Sequence, residues 1–199
     1  MKISVLIDTS LFRLYERDRN SHRIDGDELN RDLNAFKELL RCDAVIWHYT
    51  DTITFELGDH FGETWHNFIL TFKFQKISAL RLLDGSFKLD GSGNLGGNFG
   101  GSLKEHIERK DYLEAYVKEL ESGNMGAAWK ARNQRGDIEL MEAALEHDIP
   151  HFLTVDYRRI DSVATYSKKN PNCEATQRIS KVIKRPIQLL SEIPSGSSE

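Results

Sequence analysis

Apolar residues along this chain recur in two alternating rhythms. Ile3-Ser4-Val5-Leu6-Ile7 is a β-branched run of the kind that forms a short buried strand, and it stops at Asp8. Leu11, Phe12, Leu14 and Tyr15 then fall at helical spacings, and the pattern fades in the polar run from Arg17 to Arg23. A second helix is predicted from about Asp27 to Arg41, with Leu29, Leu33, Phe36 and Leu40 on its inner face and Asp27 as N-cap. Ala44-Val45-Ile46-Trp47 reads as the next strand, and the segment from Thr50 to Leu57 opens a third helix that carries Glu56. Such alternation predicts βαβ units and a parallel sheet.

From Phe61 to Leu83 aromatic and aliphatic residues are dense. Trp65, Phe68, Ile69 and Phe72 share one helix face, fit either for a core or for a subunit interface, and Ile77, Leu80 and Leu83 continue it less regularly. Residues Gly85 to Gly101 are glycine-rich and read as a flexible loop. They lack the G-K-[ST] ending of a Walker A loop and the strand-GxGxxG-helix setting of a dinucleotide site. Ser102 with Glu105 resembles a capping box that opens a helix to about Leu120, broken at Gly123 and Gly126 and followed by a short helix from Ala127 to Gln134.

Gly136 to Asp156, GDIELMEAALEHDIPHFLTVD, is the most informative stretch. Asp137 stands where a helix begins, with Ile138, Met141, Ala144 and Leu145 as its buried stripe. Pro150 ends the helix, and Phe152-Leu153-Thr154-Val155 forms a strand that delivers Asp156 at its C-terminal end. The following residues are polar and basic, Asn170-Pro171-Asn172 marks a turn, and Ile179 to Pro186 reads as a last, irregular strand before a short helix from Ile187 to Leu190. The expected organisation is one α/β domain over residues 1–193, with a central, mostly parallel sheet of four to five short strands flanked by helices, an inserted loop near 85–101 and a disordered tail over 194–199.

Composition narrows the classes. With 199 residues, 39% hydrophobic and 29% charged, the chain suits a globular domain with its own core. No apolar run approaches the roughly 20 residues of a membrane helix. The N-terminal apolar run is too short for a signal peptide and ends in an acid, so a cytoplasmic location is expected. Cys42 and Cys173 belong to no paired motif, which argues against a disulfide framework. A net charge of −4 offers no global attraction for nucleic acid, which would be held through local basic patches or a metal.

Ligands of open α/β sheets bind outside the carboxyl ends of the strands. Asp8 and Asp156 are both expected there, with the helix that begins at Asp137 pointing into the same crevice. Singly, each acid has an ordinary explanation: Asp137 as an N-cap, Asp8 as a turn residue, Glu56 as a surface helix acid. Gathered in one crevice, they repel one another unless a cation offsets their charge, and oxygen-only ligands favour Mg²⁺ or Mn²⁺ over zinc. His147 and His151 are four apart, but Pro150 between them spoils the shared helix face of an H-E-x-x-H zinc site. A haloacid-dehalogenase-type phosphatase needs a second aspartate where Ser10 stands.

ISVLIDTS at the start, TITFEL, and then GDIELMEAALEHDIPHFLTVD resemble the successive motifs of PIN domains, a family of metal-dependent ribonucleases, and the closing VIKRPIQLL resembles the last strand and helix of that fold. By this resemblance Asp8, Glu56, Asp137 and Asp156 match the four family acids, Ser10 the small polar residue that supports the first, and Thr154 the threonine before the last. Asp51 and Asp59 lie near Glu56 and are alternatives to it. The resemblance implies Mg²⁺ or Mn²⁺ held by Asp8, Asp137 and Asp156, directly or through water, with Glu56 holding a water or joining when substrate binds. It implies hydrolysis of RNA, an antitoxin protein partner if the chain is the toxin of a toxin–antitoxin pair, and a homodimer packed through the aromatic helix. Arg132, Arg135, Arg158 and Arg159 are candidates for holding the phosphate backbone. A non-catalytic PIN-like scaffold that binds RNA or a protein is the competing reading. The span from Glu56 to Asp137 departs from the compact toxins of the family, because it is longer and contains the glycine-rich loop.

Overall fold

The computed structural model describes residues 2–77, 139–169, 171–172 and 174–193. Its centre is a five-stranded sheet in which every pairing is parallel: β1 (Ile3–Ile7), β2 (Val45–Tyr49), β3 (Gln75–Lys76), β4 (His151–Leu153) and β5 (Ile183–Lys184). The spatial order is β3-β2-β1-β4-β5. The first three strands step outward on one side of β1, and β4 and β5 stand on the other. The order therefore reverses between β1 and β4, the point at whose carboxyl ends open α/β sheets form their ligand crevice.

Helices flank this sheet: α1 (Thr9–Arg19), α2 (Asp27–Leu40), α3 (Asp51–Leu57), α4 (Gly62–Thr71), α5 (described over 139–146), α6 (Tyr157–Lys169), α7 (Glu174–Val182) and α8 (Pro186–Glu192). The expected α/β class and parallel sheet are what the fold has. The first two strands and three helices fall within a few residues of their predicted bounds, although α2 takes Gly26 as N-cap and Asp27 as its first helical residue. Gly58 ends α3 at φ 59° and ψ −167°, a conformation open essentially to glycine alone.

The C-terminal part differs from expectation. The polar run after Asp156 is the 13-residue helix α6, and the predicted strand from Ile179 is mostly helix α7, with only Ile183 and Lys184 joining the sheet. Ile179 is buried in α7 and Ile183 in β5, so β-branched residues that look alike by composition serve a helix and a strand in turn. The predicted loop insertion, the helices from Ser102 to Gln134, Leu80, Leu83 and the tail lie outside the described residues.

Register places Val5, Trp47 and His151 in one row across the sheet and Leu6, His48 and Phe152 in the row on the opposite face. Trp47 meets Phe36 of α2 edge-on at 5.7 Å and stacks on Phe74 at 5.4 Å. Phe12 of α1 is surrounded by Phe61, Trp65 and Phe68 at centroid distances of 5.0–5.9 Å. Trp65 and Phe68 are thus core residues within one chain, the first of the two roles their spacing allowed. In α5, Leu140, Met141, Ala143, Ala144 and Leu145 are all buried, so the helix that leads to β4 is wrapped in apolar contact.

A second, polar tie joins α2 to the C-terminal elements. Asp32 is fully buried and accepts hydrogen bonds from Tyr157 Oη (2.8 Å), Arg185 Nε (2.9 Å) and the Ile187 backbone N–H (3.3 Å). The Arg185 guanidinium also lies 4.6 Å from the centre of the Tyr157 ring. One carboxylate thereby anchors the first residue of α6 and the start of α8.

Candidate active site

Asp8 is the last residue before α1, with extended φ and ψ, yet its side chain does not cap that helix. It turns into the crevice and is 2% exposed. Its Oδ2 accepts the Ser10 hydroxyl and the Thr154 hydroxyl (2.7 Å), and its Oδ1 lies 3.1 Å from Arg159 Nη1. Adjacency of β1 and β4 is what brings these groups together: Leu153 accepts the Asp8 backbone N–H at 2.9 Å, which fixes Thr154 beside Asp8. Burial alone would push the Asp8 carboxyl up. The Arg159 guanidinium and the two hydroxyls outweigh that and hold it below the ordinary carboxylate value.

Asp156 follows β4 by three residues and begins α6. Its Oδ1 accepts the Arg159 backbone N–H at 3.2 Å, an N-cap contact, and its Oδ2 is 3.7 Å from Arg159 Nη2. Its side chain is 41% exposed, so one edge of the crevice faces water. Thr154 Oγ1 also accepts the Asp156 backbone N–H at 3.0 Å. That hydroxyl therefore hydrogen-bonds at both acids, and the Ser10 hydroxyl joins it at Asp8.

Glu56 on α3 reaches the same neighbourhood through Thr9, whose hydroxyl donates to its Oε2. Burial pushes the Glu56 carboxyl above its ordinary value; the Thr9 hydrogen bond opposes this, and the negative charge of Asp8 adds to it. Of the alternatives to Glu56, Asp51 is exposed and paired with Lys76 at 2.7 Å. Asp137, Arg132 and Arg135 lie outside the described residues. Arg158 is exposed beside Asp156. Arg159, expected on a phosphate-facing surface, is instead buried against Asp8 with 8% of its side chain exposed.

Two acids of α5 escape a reading of the sequence. Glu139, two residues after Asp137, accepts the Thr52 hydroxyl at 2.8 Å and so ties α5 to the helix that carries Glu56. Glu142 is fully buried in α5. The available signal was an acid interrupting an apolar helical stripe, which periodicity treats as a blemish. Arg159 left a clearer trace: it stands three residues after Asp156, where a helix brings side chains together.

The donor chemistry is all oxygen, suited to a hard divalent ion. The Arg159 guanidinium lies beside both the Asp8 and Asp156 carboxylates and offsets part of their charge. Among the described residues no group of three or more His, Cys, Asp or Glu side chains is gathered closely enough to bind a metal. Comparison with protein-family models, with curated proteins and with solved structures gives no match. Among the described residues no helix is long and apolar enough to cross a membrane.

Proposed function

We propose that this protein is a PIN-like endoribonuclease that uses Mg²⁺ or Mn²⁺ to hydrolyse RNA phosphodiester bonds. The observation that carries the reading is the meeting of Asp8 and Asp156 at the carboxyl ends of β1 and β4, at the point where strand order reverses, with Glu56 joined to Asp8's neighbour Thr9. Asp8 and Asp156 would hold the ion together with Asp137, and Glu56 would hold a water. When bound, such an ion polarises the scissile phosphodiester and lowers the pKa of a bound water for in-line attack.

The chain's own residues set the conditions for that chemistry. Ser10 and Thr154 hold the Asp8 carboxylate in one orientation, so an incoming cation meets a preformed ligand. Thr154 and the first turn of α6 do the same for Asp156. The raised pKa of Glu56 gives it proton affinity that an exposed glutamate lacks, which suits a group that positions a water and takes its proton. Arg158, exposed two residues after Asp156, supplies a phosphate contact that reads no sequence. A toxin role, with an antitoxin partner and a homodimer, extends the same proposal.

The test is Mn²⁺- and Mg²⁺-dependent cleavage of a mixed pool of structured and unstructured RNAs and of single-stranded DNA, comparing wild type with Asp8→Asn and Asp156→Asn after circular dichroism shows each variant folded. Cleavage by the wild type that is lost in both variants supports the nuclease reading. Activity that persists in folded variants refutes it. A second reading, a non-catalytic scaffold that binds RNA or protein, draws on the buried Asp8–Arg159 pair, which neutralises Asp8 without any ion. Tight RNA binding without cleavage, unchanged by either substitution, favours the scaffold.

A further inference from the structure

Arg159 is the least expected part of the site. Its backbone is the third residue of α6, and its N–H already serves Asp156 Oδ1. From there the side chain doubles back into the crevice, so that Nη1 faces Asp8 Oδ1 at 3.1 Å and Nη2 faces Asp156 Oδ2 at 3.7 Å. The other Asp8 oxygen is committed to the Ser10 and Thr154 hydroxyls. The guanidinium thus faces one oxygen of each acid. An Mg²⁺ ion ligated by both carboxylates would stand about 2.0–2.1 Å from an oxygen of each, and the guanidinium lies against those same oxygens. Two cations at that separation repel strongly in a water-poor crevice.

We propose that the Arg159 guanidinium and a divalent cation are alternative occupants of one place between Asp8 and Asp156, so that Arg159 must swing out for the ion to enter. The inference rests on the metal-dependent reading above. Proton loss offers no route to vacate the place, because a guanidinium stays charged at any working pH. Movement does: α6 starts at the open edge of the crevice, where Asp156 is part-exposed and Arg158 faces water. Once displaced, the guanidinium lies beside the loaded site, where a substrate phosphate is a fitting bidentate partner. Arg159 thereby acts as a positioning residue that keeps the acids paired until an ion replaces it.

The experiment is a Mn²⁺ titration, with free Mn²⁺ read by electron paramagnetic resonance, on wild type, Arg159→Met and Asp8→Asn. The proposal expects Arg159→Met to bind Mn²⁺ about tenfold or more tightly than wild type, and Asp8→Asn to lose the site. If wild type and Arg159→Met bind equally, the exchange is overturned while the metal reading stands. If none of the three binds, both fall. Should Arg159→Met fail to fold, the wild type decides: the Arg159 Nε–H resonance is followed during a Mg²⁺ titration. Saturation that moves this signal toward that of a solvent-exposed arginine supports exchange, and saturation that leaves it unchanged refutes it.

Discussion

Replacing Asp32 by alanine removes a single carboxylate that three donors on other elements share. Asp32 has no exposed surface, whereas Arg185 keeps 22% of its side chain exposed. Breaking a buried ion pair costs about 3–5 kcal/mol because the surviving charge is left without compensation. Arg185 recovers some water and retains Glu28 at 3.6 Å, so the loss belongs at the lower end, about 3 kcal/mol. For a domain of this size that corresponds to a fall in Tm of about 6–12 °C. Tyr157→Phe deletes one donor and should cost about 1 kcal/mol. The double variant should cost less than the sum of the two single changes, since the Tyr157 hydroxyl has little left to lose once its acceptor is gone. Urea titrations and thermal melts at neutral pH measure all three. A loss below about 1 kcal/mol for Asp32→Ala, or strict additivity, would refute the idea that this carboxylate ties α2 to α6 and α8. The network also touches the site, because Tyr157 is the residue after Asp156. Its phenol is pushed up to about 12 by burial and by the Asp32 acceptor, so stability drawn from it is present below pH 10 and is lost as pH rises toward that value.

The acids of the crevice should respond in opposite directions. Asp8→Asn breaks the buried pair with Arg159 and should cost about 3 kcal/mol at neutral pH, whereas Glu56→Gln should raise Tm there. The sign follows from Glu56's raised pKa: its proton-linked stability is present below pH 4.5 and is lost as pH rises through the folded value, so at neutral pH its charge is a net cost. A Glu56→Gln variant less stable than wild type at pH 7 would contradict this. Mild acid should also weaken the fold through His48. Its ring nitrogens are buried with no hydrogen-bond partner among the described residues, and burial, with His147 nearby, holds its pKa below 6.5. Stability from this group is present above pH 6.5 and is lost as pH falls toward the folded value. His48→Leu should flatten the acid limb of a Tm–pH profile between pH 7 and 5, and an unchanged limb would assign it to other groups.

Much of the frame is legible in local pattern. Ile3–Ile7 and the apolar run before Asp156 announce strands through β-branched, bounded stretches, and the stripe from Met141 to Leu145 announces a buried helix, because side-chain direction repeats with the backbone's own period. The position of Asp8 and Asp156 at strand ends follows from the same runs. Pattern fails where burial is earned by few residues. In α6 the apolar contacts come from Ile160 and Val163 among polar neighbours, and in α7 the buried Ile179 serves a helix although its type suggests a strand. Strand order is beyond local pattern altogether. Nothing near Asp8 in the chain states that β4 rather than β3 will lie beside β1, since that choice depends on the packing of segments more than a hundred residues apart. The same adjacency decides the chemistry of the site: it sets Thr154 on Asp8, brings Arg159 between two carboxylates, and makes Asp32 the anchor of α6. By itself, then, the sequence determined which residues can ionise and which segments up to Asp156 become strands and helices, because those are properties of neighbours along the chain. Only the tertiary structure decided which charges meet, because desolvation and Coulomb energy depend on distance through space.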